Sequence, residues 1–69
     1  MLTKKQFDIL VYLAEHTSLQ TQRSIASGTG ISVGLVNKTL GELTAAGFIC
    51  ENRITDQGYS ALEPYRVRR

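Results

Sequence analysis

The chain has 69 residues, a formal net charge of +2, one cysteine and one histidine. So short a chain forms one small domain with a modest core, near the lower limit of independent stability. Cys50 has no partner for an intrachain disulfide, Cys50 and His16 make no metal-ligand set, and the longest apolar run, Ile9 to Ala14, is far too short to span a bilayer.

The first predicted helix starts at Thr3. Thr3 and Gln6 have the T-x-x-Q spacing of a capping box, in which each side chain satisfies a backbone N–H of the other residue. Leu2 leads straight into this polar start without a signal-peptide pattern, so a cytoplasmic location with no membrane partner is expected. Phe7, Leu10, Val11 and Ala14 recur at helical spacing and make the expected core stripe. Ile9, Tyr12 and Leu13 extend the apolar surface beyond one stripe, which calls for a second neighbour: another helix of the domain, a dimer partner or an adjoining domain. The helix is expected to stop near Glu15 to Thr17, where His16 would interact with the C-terminal end of the helix dipole.

Ser18-Leu19-Gln20 reads as a short extended strand. Thr21 can cap a second helix over Gln22 to Ser27, with Ile25 and Ala26 inward and Gly28-Thr29-Gly30 closing it. Ile31 plugs the core, and Ser32 caps a third helix over Val33 to Ala46. Val36, Leu40 and Leu43, at i, i+4 and i+7, point into the core, and Gly47 stops the helix. Residues 48–50 and 53–55 are two strand-like runs, with Glu51-Asn52 as a two-residue turn and Cys50 as a small, half-buried hydrophobe. Thr55 caps a fourth helix from Asp56, with Tyr59 and Leu62 inward, and Pro64 closes it near Leu62 or Glu63. Residues 65–69 are expected to be extended or frayed.

The order is helix, short strand, helix, turn, helix, hairpin, helix. The expected fold is therefore mainly α with a small β-hairpin: a winged helix-turn-helix with a three-helix core, a short wing and a C-terminal helix. Residues 1–65 form the domain. Residues 66–69 are a basic tail, read also as a linker to a downstream domain.

Residues 19–49, LQTQRSIASGTGISVGLVNKTLGELTAAGFI, resemble the central motif of MarR-type winged-helix regulators. The matching features are Leu19, Ile25-Ala26, Gly30-Ile31-Ser32, Val36, Leu40, Leu43 and Ala46-Gly47-Phe48-Ile49. ITDQGYSAL, residues 54–62, resembles the L-T-x-x-G step that follows the wing in that family. Two departures stand out. The wing shrinks to Glu51-Asn52-Arg53, with one base and one acid, and the long flanking helices that build the family dimer are not in these 69 residues. A second resemblance lies in ITDQGYSALEPYRVRR, which is similar to the close of winged-helix modules at the head of some bacterial sugar-phosphate or phosphocholine nucleotidyltransferases. It implies a regulatory or docking domain whose intramolecular partner follows Arg69.

The residues carry no enzyme site: no nucleophile, base and orienting group come together, the carboxylates are scattered, and the glycines do not follow a strand as a phosphate loop does. No cofactor is implied. The main expectation is a transcriptional regulator that reads double-stranded DNA with the helix from residue 33 to residue 46; the alternative is the docking domain, with little or no DNA binding. In that frame Ser32, Val33, Gly34, Asn37 and Lys38, with Leu35 at the edge, face a major groove. Asn can pair with adenine and Lys with guanine, Val33 can touch a thymine methyl, and Gly34 permits close backbone approach. Thr21, Gln22 and Arg23 would contact the backbone and Arg53 a neighbouring groove. The charge is thin for this work. Up to residue 65, Lys4, Lys5, Arg23, Lys38 and Arg53 stand against Asp8, Glu15, Glu42, Glu51, Asp56 and Glu63, a net charge of −1; Arg66, Arg68 and Arg69 supply the rest. A homodimer would double the footprint.

Overall fold

Four hydroxyls fix where the helices begin. In this computed structural model, which describes residues 2–16 and 18–65, each helix start carries a Thr or Ser with extended backbone whose side chain accepts an orphan N–H of the first turn. The helices are α1 (Lys4–Glu15), α2 (Gln22–Thr29), α3 (Val33–Ala45) and α4 (Asp56–Leu62). Thr3 and Gln6 form the full capping box of α1, with bonds of 3.0 and 3.2 Å. Thr21 caps α2, Ser32 caps α3 and Thr55 caps α4.

The helix ends are equally local. α2 runs through Gly28 to Thr29, two residues further than its expected end at Ser27, and closes on Gly30 at φ 76°. α3 ends in a Schellman motif: Gly47 sits at φ 83°, its N–H donates to the Thr44 carbonyl at 3.0 Å, and the Phe48 N–H donates to the Leu43 carbonyl at 3.0 Å. Only glycine reaches that left-handed geometry without a steric cost. α4 gives way to a short 3₁₀ turn over Glu63–Tyr65. The tail from residue 66 lies outside the described residues.

The sheet is one antiparallel hairpin of β1 (Ile49–Cys50) and β2 (Arg53–Ile54), with Ile49 opposite Ile54 and Cys50 opposite Arg53. Glu51 and Asn52 turn the chain with φ of 50° and 61°. Positive φ at both central residues is what mirror-image two-residue hairpins require.

The core is Ile9, Leu10, Leu13, Ile25, Ile31, Val36, Leu40, Leu43, Ile49 and Leu62, all buried. Full burial of one such side chain contributes about 1.5–3 kcal/mol of transfer free energy. Val36, Leu40 and Leu43 point inward, as their spacing requires.

Four expectations need correction. The buried face of α1 is Ile9, Leu10 and Leu13, while Phe7, Val11 and Ala14 are only half-buried. The cause is that α1 runs between neighbours, touching α2 and α3 as well as α4 and β2. The second neighbour that its apolar girth called for thus lies within the domain. Tyr59 is 38 % exposed; the inward positions of α4 are Gly58 and Leu62, one turn apart. Residues 18–20 form no strand, and the sheet among the described residues has two strands. Cys50 is exposed, because alternation along β1 turns Ile49 inward and Cys50 outward.

Candidate nucleic-acid interface

α2 and α3 pack against each other and are joined by Gly30-Ile31-Ser32. Ile31 is 6 % exposed and pins this turn to the core, while Gly30 supplies the left-handed step. The Ser32 hydroxyl accepts the Leu35 N–H at 3.3 Å, so α3 starts sharply at Val33. Its hydroxyl proton remains able to donate outward.

With Val36, Leu40 and Leu43 buried, the helical period turns Gly34 and Lys38 to the opposite side and Asn37 to its flank, while Val33, three residues before Val36, is open because α3 begins there. All four are exposed, Val33 to 45 %, unusual for a branched aliphatic side chain. Leu35 does not belong with them: it is half-buried against the core, a quarter-turn round from the open face. A Cβ placed on Gly34 would meet nothing within 4 Å. The fold therefore leaves open space there and has no packing need for a glycine.

At the start of α2, Thr21 and Arg23 are exposed and Gln22 is half-buried. Thr21 is committed to its cap, accepting the Ser24 N–H at 3.1 Å and lying 3.0 Å from the Ser24 hydroxyl. Arg53 is exposed on β2, apart from the α3 patch: it shares a cleft of about 140 Å³ with Leu13, His16, Ile54 and Tyr59. So Ser32, Val33, Gly34, Asn37 and Lys38 are all exposed at the start and along the first turns of α3, with Thr21, Gln22 and Arg23 at the start of α2 and Arg53 on the wing.

The electrostatics are sparse. Among the described residues no carboxylate pairs with Arg23, Lys38 or Arg53, whereas Lys4 is drawn into an ion pair with Asp8 at 3.1 Å. Glu42 of α3 accepts from the Gln6 amide at 3.1 Å, which ties α1 to α3 on another side. Glu51 at the wing tip is exposed and acidic, beside Arg53 in the hairpin.

Two supporting residues escape a reading of the sequence. Asn52 is half-buried, and its side-chain amide donates to the Gln20 carbonyl at 3.2 Å. Gln20 in turn accepts the Tyr12 hydroxyl at 2.9 Å. The Tyr12 ring stacks on His16 with centroids 4.0 Å apart, and His16 Nδ1 donates to the Tyr12 carbonyl at 2.8 Å. That last bond places His16 at the C-terminal carbonyls of α1. Asn in a turn that requires positive φ is the one signal that would have singled out Asn52.

A three-helix core with a helix-turn-helix pair, a short hairpin and a closing helix defines a winged helix-turn-helix module. The chain belongs to the MarR family, whose family model matches residues 2–58, from Leu2 just before α1 to Gly58 of α4. No curated protein and no solved structure matches the chain.

Proposed function

We propose that this module reads double-stranded DNA with α3 as a transcriptional regulator, laying Ser32, Val33, Gly34, Asn37 and Lys38 in the major groove. One observation carries the reading: an uncluttered helix face, with a glycine that packing does not need, stands opposite the buried Val36, Leu40 and Leu43. Asn37 supplies the paired donor and acceptor that match adenine, and Lys38 a donor for guanine or phosphate. Ser32 and the free N–H groups behind it suit a phosphate oxygen. Thr21, Gln22 and Arg23 hold the backbone beside the groove, and Arg53 reaches out from the wing.

The footprint is small. Arg23, Lys38 and Arg53 give about three phosphate contacts, so log K should fall against log salt with a slope near −2.7, doubled in a homodimer. The test is a titration of labelled duplex by anisotropy between about 50 and 200 mM salt. Binding with a slope of about −2.7, or twice that, supports the reading. No binding at the low-salt end, or binding unchanged by Asn37→Ala with Lys38→Ala, contradicts it.

A further inference from the structure

The wing of this module is held at its base, where Ile49 is buried and Ile54 opposite it is half-buried against the core, and less well towards its tip. Each strand is two residues long, and isolated two-stranded hairpins are marginal in water. Ile49 anchors the base in the core, but Cys50, Glu51 and Arg53 are all exposed. At the tip only Asn52 turns back, into the loop between α1 and α2. A third strand along residues 18–20 would have given the hairpin a ladder of backbone bonds. In its place stands one side-chain bond, from the Asn52 amide to the Gln20 carbonyl, 32 residues away in sequence.

The acceptor is the Gln20 main-chain oxygen, and the residue that carries it is held by its side chain. The Gln20 side chain accepts the Tyr12 hydroxyl and donates to the Ser18 carbonyl and hydroxyl at 3.3 Å each. Tyr12 is held by its stack on His16. A chain of contacts thus runs from the middle of α1 through the loop to the wing tip, made by side chains that are not themselves assigned to DNA. The backbone at position 52 adds a reason for the residue type. At φ 61° most side chains are strained, and Asn tolerates the conformation while offering a donor that Gly lacks.

We infer that Asn52, Gln20 and Tyr12 are positioning residues that set the angle of the wing, and through it the place of Arg53 on the duplex. This rests on the DNA reading above, but the tether can be examined without DNA. In ¹⁵N relaxation, residues 50–53 of the wild type should be as ordered as the helices, with order parameters near 0.85. Asn52→Asp keeps the turn and the size of the side chain but removes the donor; Asn52→Gly keeps the turn and removes the side chain. Both should lower the wing order parameters below about 0.6 while the helices stay unchanged. Tyr12→Phe, one link further back, should move the amide signals of residues 18–20 and 52 together. Wing order equal to wild type in both Asn52 variants overturns the tether.

The DNA arm uses Asn52→Gly, Arg53→Ala and the double variant. Asn52→Gly should reduce the salt slope by about 0.9, as Arg53→Ala does, because one phosphate contact is lost in either case. The double variant should show no further loss, the signature of two residues acting through one contact. Additive losses, or full affinity in Asn52→Gly, overturn the positioning role. If the wild type does not bind duplex, the DNA reading and the positioning role fall together, and wing order then decides the tether alone.

Discussion

Gly58 presses its Cα face against the backbone carbonyl of Phe48, so that a Cβ at position 58 would overlap that oxygen and crowd Cγ1 of Ile54, 2.6 Å away. The same carbonyl accepts the Thr55 N–H at 3.0 Å, and Gly58 N–H donates to the Thr55 hydroxyl at 3.1 Å. The threonine-to-glycine step after the wing is thus a packing device: it brings the start of α4 onto the backbone at Phe48, between α3 and β1. Glycine inside a helix costs up to about 1 kcal/mol relative to alanine. Here the close approach outweighs that cost.

Gly58→Ala should therefore destabilise the domain. Overpacking against a backbone oxygen costs roughly 1–3 kcal/mol or more, offset by up to about 1 kcal/mol of helix propensity. A net loss of about 1–2 kcal/mol lowers the midpoint of thermal unfolding by roughly 4–16 °C in a domain of this size. Circular dichroism melting decides it. An unchanged or higher midpoint contradicts the close approach.

Thr55 and Ser32 are both N-caps, yet they should differ in worth. The Thr55 hydroxyl also donates to the Gly47 carbonyl at 2.7 Å, joining the end of α3 to the start of α4 while partly buried, whereas the Ser32 cap is exposed. Ser32→Ala should cost about 1 kcal/mol and Thr55→Ala about 2 kcal/mol. Urea unfolding of the two variants measures the difference; equal losses count against the bridging role of Thr55.

Leu43 is 1 % exposed at the crossing of the core. Its truncation to alanine should cost about 2–5 kcal/mol, a loss on the scale of the whole stability of a marginal domain. The expected result is a chain without dispersed amide signals at 25 °C. A well-folded Leu43→Ala variant with a small loss would show that α3 is not anchored as described.

Gly34 and Gly41 form a matched pair. Both lie inside α3, and a Cβ on either meets nothing within 4 Å. Alanine at either site should stabilise the fold by about 0.5–1 kcal/mol. Gly41→Ala should leave duplex affinity unchanged, while Gly34→Ala should weaken it: the two share a face, but position 34 lies in the first turn beside Ser32, Asn37 and Lys38 and position 41 two turns further on. Equal duplex affinity of the two variants would remove Gly34 from the interface.

Glu51 combines two costs at the wing tip: a side chain held at φ 50° and a negative charge beside Arg53. Glu51→Asn should relieve about 1 kcal/mol of left-handed strain and tighten duplex binding by removing repulsion of the phosphates. Melting and anisotropy read the two effects separately; unchanged binding in this variant would place the wing tip away from the duplex.

Much of the fold was legible because its signals are local. Thr3 with Gln6, Ser32, Thr55, Gly30 and Gly47 each declare a helix boundary through bonds within a few residues. The period of Val36, Leu40 and Leu43 fixes the face of α3, and with it the exposure of Asn37 and Lys38. What escaped depends on neighbours remote in sequence. The unbroken apolar run over residues 9–14 carries no polar residue to mark a face, so the packing of α4 and β2 chose Ile9, Leu10 and Leu13. The ring of Tyr59 fits the helical period as a core residue, but the contact of Gly58 with Phe48 sets the rotation of α4. The wing's support was invisible for the same reason, since Asn52 reaches Gln20 across 32 residues.

The central assertion is that the face of α3 opposite its buried stripe meets DNA. The direct measurement is an amide correlation spectrum of the ¹⁵N-labelled domain, recorded while duplex is added at about 50 mM salt, where counterion release favours binding most. The account predicts shifts concentrated at residues 21–23, 32–34, 37, 38 and 51–53, with α1 and α4 quiet. Shifts confined to α1 or α4, or a spectrum unmoved by saturating duplex, would contradict it.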